Sequence, residues 1–248
     1  MGVINSESGT RVDEVAEGIY RISTPIPPGV VPGGFSFNQY LIVDDEPLLF
    51  HVGMRTLSPL VKQAIASVMP LDRLRWVSFG HVESDESGGM QELLAAAPEA
   101  RPLCGRIQAM LAIADITDRE PKVLGDGESH AIGRRRLTWI DAPHVPHSWD
   151  NGFLFESEHQ TLFCGDLFTQ AGSDNPPLTE ADLLGPSEAM RAAMDYYAHA
   201  PQTGAVIERL AAMEPATLCC MHGSAWRGNG SALLRSLAAA LRSSSGPC

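Results

Sequence analysis

Short apolar runs alternate with amphipathic ones through both halves of this chain, and that rhythm constrains its fold more than any other feature. "GIYRIST" (18–24) and "QYLIVDDEPLLFH" (39–51) read as strands, the second as a hairpin turning at 44–47. The Pro/Gly-rich stretch 25–37 between them reads as a loop. Apolar spacing predicts a helix over 57–69, with Pro59 in its first turn. A buried strand follows at 74–79 and a helix at 87–97, where Gly88 and Gly89 are expected to give a tight turn. The second half repeats the theme: strands at 135–141, 152–157, 161–166 and 216–222, and helices at 187–200, 204–213 and 231–242. Strands followed by helices in both halves predict a layered α/β domain.

The 248 residues suffice for one large domain with a proper core, and no linker or low-complexity stretch divides them. The expectation is a single domain over 1–248. A net charge of −12 excludes nucleic acid and anionic membrane surfaces as partners, because phosphate binding needs a basic face. No apolar run is long enough to cross a bilayer, and the start "MGVINSESGT" lacks the basic and apolar regions of a secretory signal. It does match the short M-G-x-x-x-S pattern for acylation at Gly2. Five cysteines without a C-x-x-C suit a reducing, cytoplasmic setting better than a disulfide framework.

The polar residues fall in a pattern. His81, Glu83 and Asp85 follow one predicted strand, and His144 and His147 follow another. Asp166 and His222 end two more. Sites in α/β sheets form beyond the carboxyl ends of strands, so four such loops can converge. A lone histidine or acid after a strand is ordinarily a turn or capping residue; the joint pattern is what points to metal. Alternation puts Cys164 on the face of Asp166 and Cys220 on that of His222, as small hydrophobes or as sulfur ligands. His51 ends the first hairpin and is either a core histidine or an orienting group for a ligand.

The order H-x-E-x-D (81–85), H-S-W-D (147–150), G-D-x-F (165–168) and M-H-G (221–223) resembles the metallo-β-lactamase superfamily. Glu83 stands where the hydrolases of that superfamily carry a histidine, which resembles the diiron branch of flavodiiron proteins and their stand-alone oxygen-binding relatives. The resemblance implies an αββα four-layer sandwich. It further implies one metal held by His81, Glu83 and His147, a second held by Asp85 and His222, and Asp166 as the bridge. His144 is left outside this set, with a swap for His147 still open. Glu86 departs from the pattern, which has histidine at that position. Three arrangements stay open there: a second metal without that nitrogen, one bound by Glu86, or a position open to water. Glu86→Ala is accordingly expected to do little to the first metal.

The resemblance implies a dinuclear metalloprotein, with iron favoured and zinc or manganese admitted by the same donors. Its chemistry would be binding or reduction of dioxygen. Electrons would come from a separate donor protein, because no flavodoxin-like domain and no tightly bound flavin are expected in the chain. A dizinc hydrolase of esters, thioesters or amides and a non-catalytic oxygen or redox sensor are the alternatives. A homodimer is compatible with all three.

Overall fold

Alternation of side chains along each strand decides where the apolar residues go, and it sorts them into three separate layers. In the computed structural model, residues 2–244 are described. The first sheet has eight strands in sequence order: β1 (Gly2–Val3), β2 (Arg11–Ala16), β3 (Ile19–Ile26), β4 (Phe35–Ile42), β5 (Leu48–Phe50), β6 (Trp76–Ser78), β7 (Arg101–Gly105) and β8 (Lys122–Leu124). β1 to β5 are antiparallel neighbours, and β5 to β8 are parallel. Parallel neighbours need crossovers, which the helices Ser58–Ala66 and Met90–Ala96 supply.

The second sheet has seven strands: β9 (Ser129–Ala131), β10 (Arg136–Asp141), β11 (Gly152–Glu156), β12 (Thr161–Gly165), β13 (Leu178–Thr179), β14 (Thr217–Cys220) and β15 (Ala225–Arg227). Their order is β13-β15-β14-β12-β11-β10-β9. Tyr40, Ile42, Leu48, Phe50, Phe163 and Cys219 lie in the apolar layer between the sheets. Their neighbours Leu41 and Leu49 pack under the helices of the first sheet. Leu162, Cys164, Leu218 and Cys220 pack under the helices Leu184–Met194, Thr203–Ala212 and Gly230–Ser244. Helices outside and two sheets inside make the expected αββα four-layer sandwich.

The sheets approach closely around Trp139, which is fully buried. A Cβ on Gly105, at the end of β7 in the other sheet, would lie 2.7 Å from its indole nitrogen, and one on Gly152 in the neighbouring strand 2.1 Å from its ring, so only glycine fits at either position. Gly88 and Gly89, in contrast, do not adopt the glycine-only backbone expected of a tight turn; both have negative φ. Gly89 is needed for proximity, since a Cβ would sit 2.7 Å from Ser58 Oγ and 3.0 Å from the Gly53 carbonyl.

Among the element boundaries that differ from expectation, two have a clear physical reason. The loop predicted over 25–37 shrinks to 27–34, because Pro25 pairs with Ser36 and Ile26 with Phe35. Pro25 lies beyond the last β2 pair, at Ser23, so its missing N–H costs nothing on that side. The helix predicted over 187–200 runs instead from Leu184 to Met194 and stops at Asp195, whose backbone is left-handed. Asp182 accepts from the N–H groups of Leu184 and Gly185 at its start. Beyond its end, the Ala198 N–H donates to the Pro146 carbonyl, 2.7 Å away.

Candidate metal centre

β10 and β12 are both antiparallel to β11, and β14 is parallel to β12, so these three strands end on one edge. His147 lies in the loop after β10, Asp166 directly after β12 and His222 two residues after β14. β6 brings His81 and Glu83 to the same place from the other sheet. The helical turn Ser84–Ser87 then carries Asp85 inward.

The side chains form two groups that share Asp166. In the first, His81 Nε2 lies 2.7 Å from Glu83 Oε2 and 3.0 Å from His147 Nε2. Asp166 Oδ2 is 3.2 Å from His147 Nε2 and 3.8 Å from His81 Nε2. One ligand atom from each of His81, Glu83, His147 and Asp166 falls within 4.8 Å of every other. In the second group, Asp166 Oδ1 is 3.2 Å from His222 Nε2, which is 3.5 Å from Asp85 Oδ2. All six candidates therefore meet. His144 is exposed and stays outside.

Each histidine is held by its other ring nitrogen. His147 Nδ1 lies 2.9 Å from the Tyr196 carbonyl and His222 Nδ1 2.9 Å from that of Ser36. His81 Nδ1 lies 3.1 Å from Asn151 Oδ1. Donation from Nδ1–H leaves the lone pair on Nε2, and all three Nε2 atoms face the cluster. Asn151 is itself anchored by donating to the Val145 carbonyl. Asp150 accepts from the Val82 N–H and so ties the two ligand loops together.

Glu86 does not face the second group of ligand candidates, which leaves the two arrangements without it. It is 1% exposed, and its Oε2 accepts from the N–H groups of Gly80 and His81 at 2.7 and 2.8 Å. Its Oε1 lies 3.3 Å from His51 Nε2 and 3.4 Å from His81 Nδ1. Both oxygens sit behind His81, on the side away from Nε2. His51 thus faces Glu86 and reaches the cluster only through it. Cys164 and Cys220 stay out of the ligand cluster: their sulfurs are 3.8 Å apart in the apolar layer, and burial pushes the Cys164 thiol up.

Burial opposes charge here, and the charges oppose each other's absence. Burial alone would lower the His81 pKa, but Glu86, Glu83 and Asp166 lift it to about 10. Burial also works against His147, which Asp166 and Glu83 lift to about 9. His147 and His81 drop Glu83 to about 2. Asp166 is desolvated too, yet His147 and His222 hold it well below the usual carboxylate range. Asp85 goes the other way, raised by burial to about 6. Protons on the histidines are what balances three carboxylates until a cation arrives.

The donor set fits metal ions: three imidazole nitrogens and three carboxylates, with each imidazole lone pair directed by a bond at the other ring nitrogen. Metal uptake must then expel the histidine protons. Calorimetry at pH 7 in two buffers of different ionisation enthalpy is expected to show net proton release. Apparent affinity should rise with pH through the deprotonation of His147 near 9 and until that of His81 near 10, since fewer protons remain to displace. A pH-independent affinity between 6 and 9 would contradict this arrangement.

A cavity of 180 Å³ opens over the cluster, walled in part by Phe35, Met194 and Tyr196. That lies below the range of about 300–1,000 Å³ usual for sites that take drug-sized molecules.

A family model described as ODP family beta lactamase matches residues 35–223, which span all six ligand candidates. Rubredoxin-oxygen oxidoreductase of Megalodesulfovibrio gigas is 27% identical over 210 residues, covering 79% of this chain and 50% of that protein. Nitric oxide reductase of Moorella thermoacetica is 26% identical over 206 residues, covering 78% and 50%. The chain thus spans half the length of these relatives. A solved structure of rubredoxin oxygen:oxidoreductase from Desulfovibrio gigas superposes with a TM-score of 0.81 at 22% identity, over 93% of this chain and 61% of that one.

Proposed function

The chain belongs to the ODP beta-lactamase family, on the flavodiiron branch of the metallo-β-lactamase fold, and on that premise we propose that it is a diiron protein that binds and reduces dioxygen. His81, Glu83 and His147 would hold one metal, Asp85 and His222 the other, with Asp166 between them. The single observation that carries this reading is Asp166, which offers one oxygen to each group of ligands at 3.2 Å from a histidine. Two iron ions so held would supply one-electron redox chemistry and an affinity for dioxygen.

The protein's own part is to fix donors and to limit access. The carbonyls of Tyr196 and Ser36 and the amide of Asn151 orient the three imidazoles. Phe35, Met194 and Tyr196 wall part of the approach to the cluster. Three carboxylates beside three imidazoles suit iron better than the nitrogen-richer sets that lean to zinc, which supports oxygen chemistry over the hydrolase. Reduction of dioxygen to water takes four electrons, and two metals changing by one electron each supply only two. An external donor protein is therefore part of the proposal. The first relative's name pairs rubredoxin with oxygen. Among the described residues Cys104, Cys164, Cys219 and Cys220 are free and buried, and no helix is long and apolar enough to cross a membrane; these features suit a cytoplasmic setting.

The test is elemental analysis of protein made in iron-replete cells, with oxygen uptake by the reduced protein. About two metal ions per chain are expected, iron exceeding zinc. Reduced protein should take up oxygen, stop, and resume when a reduced donor is added. Zinc alone after iron-replete expression, or no uptake by iron-loaded reduced protein, would overturn the proposal.

A further inference from the structure

Two arginines are equally buried here, and only one has its charge matched. Arg135, 1% exposed, lies 3.4 Å from Asp44 Oδ2 and donates to the carbonyls of Val43 and Glu17. Arg21, also 1% exposed, has a single acceptor, the Gly223 carbonyl 2.7 Å from Nη2. Its Nε and Nη1 find no hydrogen-bond partner among the described residues. Strand register sets Asp13 directly opposite Arg21, on the same face. That carboxylate is taken by Arg11, through Nε at 2.5 Å and Nη2 at 3.1 Å. A guanidinium removed from water without a carboxylate bonded to it is costly. Burial accordingly pushes the Arg21 guanidinium down from its ordinary range, with Tyr40 and Asp13 opposing the drop.

Arg21 forms part of the wall of a 240 Å³ pocket. β2, β3 and β4 contribute Arg11, Ser23 and Ser36, and the segment after β12 contributes Ser173 and Asn175. Register and alternation place Arg11, Ser23, Arg21 and Ser36 on one face of the sheet. Asp174 also lines the pocket and acts on Arg11 but is exposed, and Asp13 is committed to Arg11, so no carboxylate hydrogen-bonds Arg21 at the inner wall. We propose that this pocket binds a small tetrahedral oxyanion of the phosphate or sulfate class. Arg21 supplies the buried charge, Arg11 a second cation with Nη1 outside its pair with Asp13, and the serines hydroxyl donors.

The pocket is separate from the metal cluster but shares a neighbour with it. The Ser36 carbonyl accepts from His222, while the Ser36 hydroxyl lines the pocket and accepts from the Gly223 N–H.

The test is scanning calorimetry of the full metal-loaded chain, with sodium phosphate replacing sodium chloride at constant ionic strength. The wild-type Tm should rise and saturate, as binding to the folded state requires. Arg21→Met should show no rise, and Arg11→Gln should need about tenfold more phosphate for half the effect, the loss of one charge-assisted contact. Metal-free wild type should show the same rise. A flat wild-type response overturns the proposal, as does an unchanged response in Arg21→Met. Loss of the response in the metal-free protein also overturns it, by locating the phosphate on the metals. Should Arg21→Met not fold, equal half-saturation in wild type, Arg11→Gln and Ser23→Ala overturns it.

Discussion

Asp166→Ala is expected to lose both metal ions while keeping the fold. No other ligand candidate contacts both groups: Asp166 Oδ2 faces His147 and His81, and Oδ1 faces His222. Loss of a group that merely orients a ligand already lowers metal affinity about 10–100-fold. Removing a ligand shared by both ions should exceed that for each of them. The fold should survive, because Asp166 lies beyond the end of β12 and its side chain bonds only within the cluster and its own turn. Glu83→Ala is the comparison. Glu83 is half exposed and touches only His81 and His147, so its loss should weaken one ion and leave the other. Elemental analysis after dialysis, beside far-ultraviolet circular dichroism, reads both effects. Equal metal loss in Asp166→Ala and Glu83→Ala would show that Asp166 does not bridge. The variant should also shift the histidines. Asp166 is the first of the groups that lift His147, so without it the imidazole should deprotonate at lower pH than about 9.

The ligand positions were legible in the sequence because strands impose a simple rule. A strand of known direction ends at a known edge, and a histidine or acid placed just after it can only sit there. That argument brought His81, Glu83, Asp85, Asp166 and His222 to one edge together with both His144 and His147; the resemblance chose His147, and the structure leaves His144 exposed and outside the cluster. What holds them was not legible. His147 is oriented by the carbonyl of Tyr196 and His222 by that of Ser36, and a backbone acceptor leaves no mark on residue type. Asn151 does carry a signal, as a polar residue between "HSWD" and an apolar strand, but turns contain many of these. The short strands β1, β2, β7, β8, β9, β13 and β15 went unassigned, since two to six residues show too little periodicity. The end of the helix at Asp195 was missed for another reason. "DYYAHA" has acceptable helix formers, but Tyr196 and Ala198 make hydrogen bonds to the His147 loop that a helix would forbid. Tertiary contact overrode local propensity there.

Glu86 is the residue on which sequence and packing disagree most, and Glu86→Ala is expected to be among the most destabilising single changes in the chain. Read in sequence, it is an acid beside Asp85 where a ligand belongs, and its loss should spare the first metal. In the structure it is 1% exposed and turned behind His81. It accepts from two buried N–H groups, Gly80 and His81, and faces His51, which is fully buried with a left-handed backbone and no hydrogen-bond partner for either ring nitrogen among the described residues. Removing one member of a buried charged group leaves the rest uncompensated, at a cost of about 3–5 kcal/mol. Burial would raise the Glu86 pKa, but His51 and His81 outweigh it and hold the carboxyl low. A folded pKa below the unfolded one adds stability that is complete above the ordinary carboxylate range and is lost as pH falls through the folded value. Urea unfolding of metal-free protein at pH 7 should therefore show the full loss, and the difference between wild type and Glu86→Ala should shrink on acidification. Because Glu86 also fixes the His81 loop, the first metal should weaken with it. Asp85→Ala sets the contrast, since Asp85 is already raised to about 6 by burial and its loss should relieve charge rather than expose it. That variant should lose affinity for the second metal at little cost in stability. A Glu86→Ala protein as stable as wild type, with the first metal bound as tightly, would mean that the carboxylate behind His81 supports nothing.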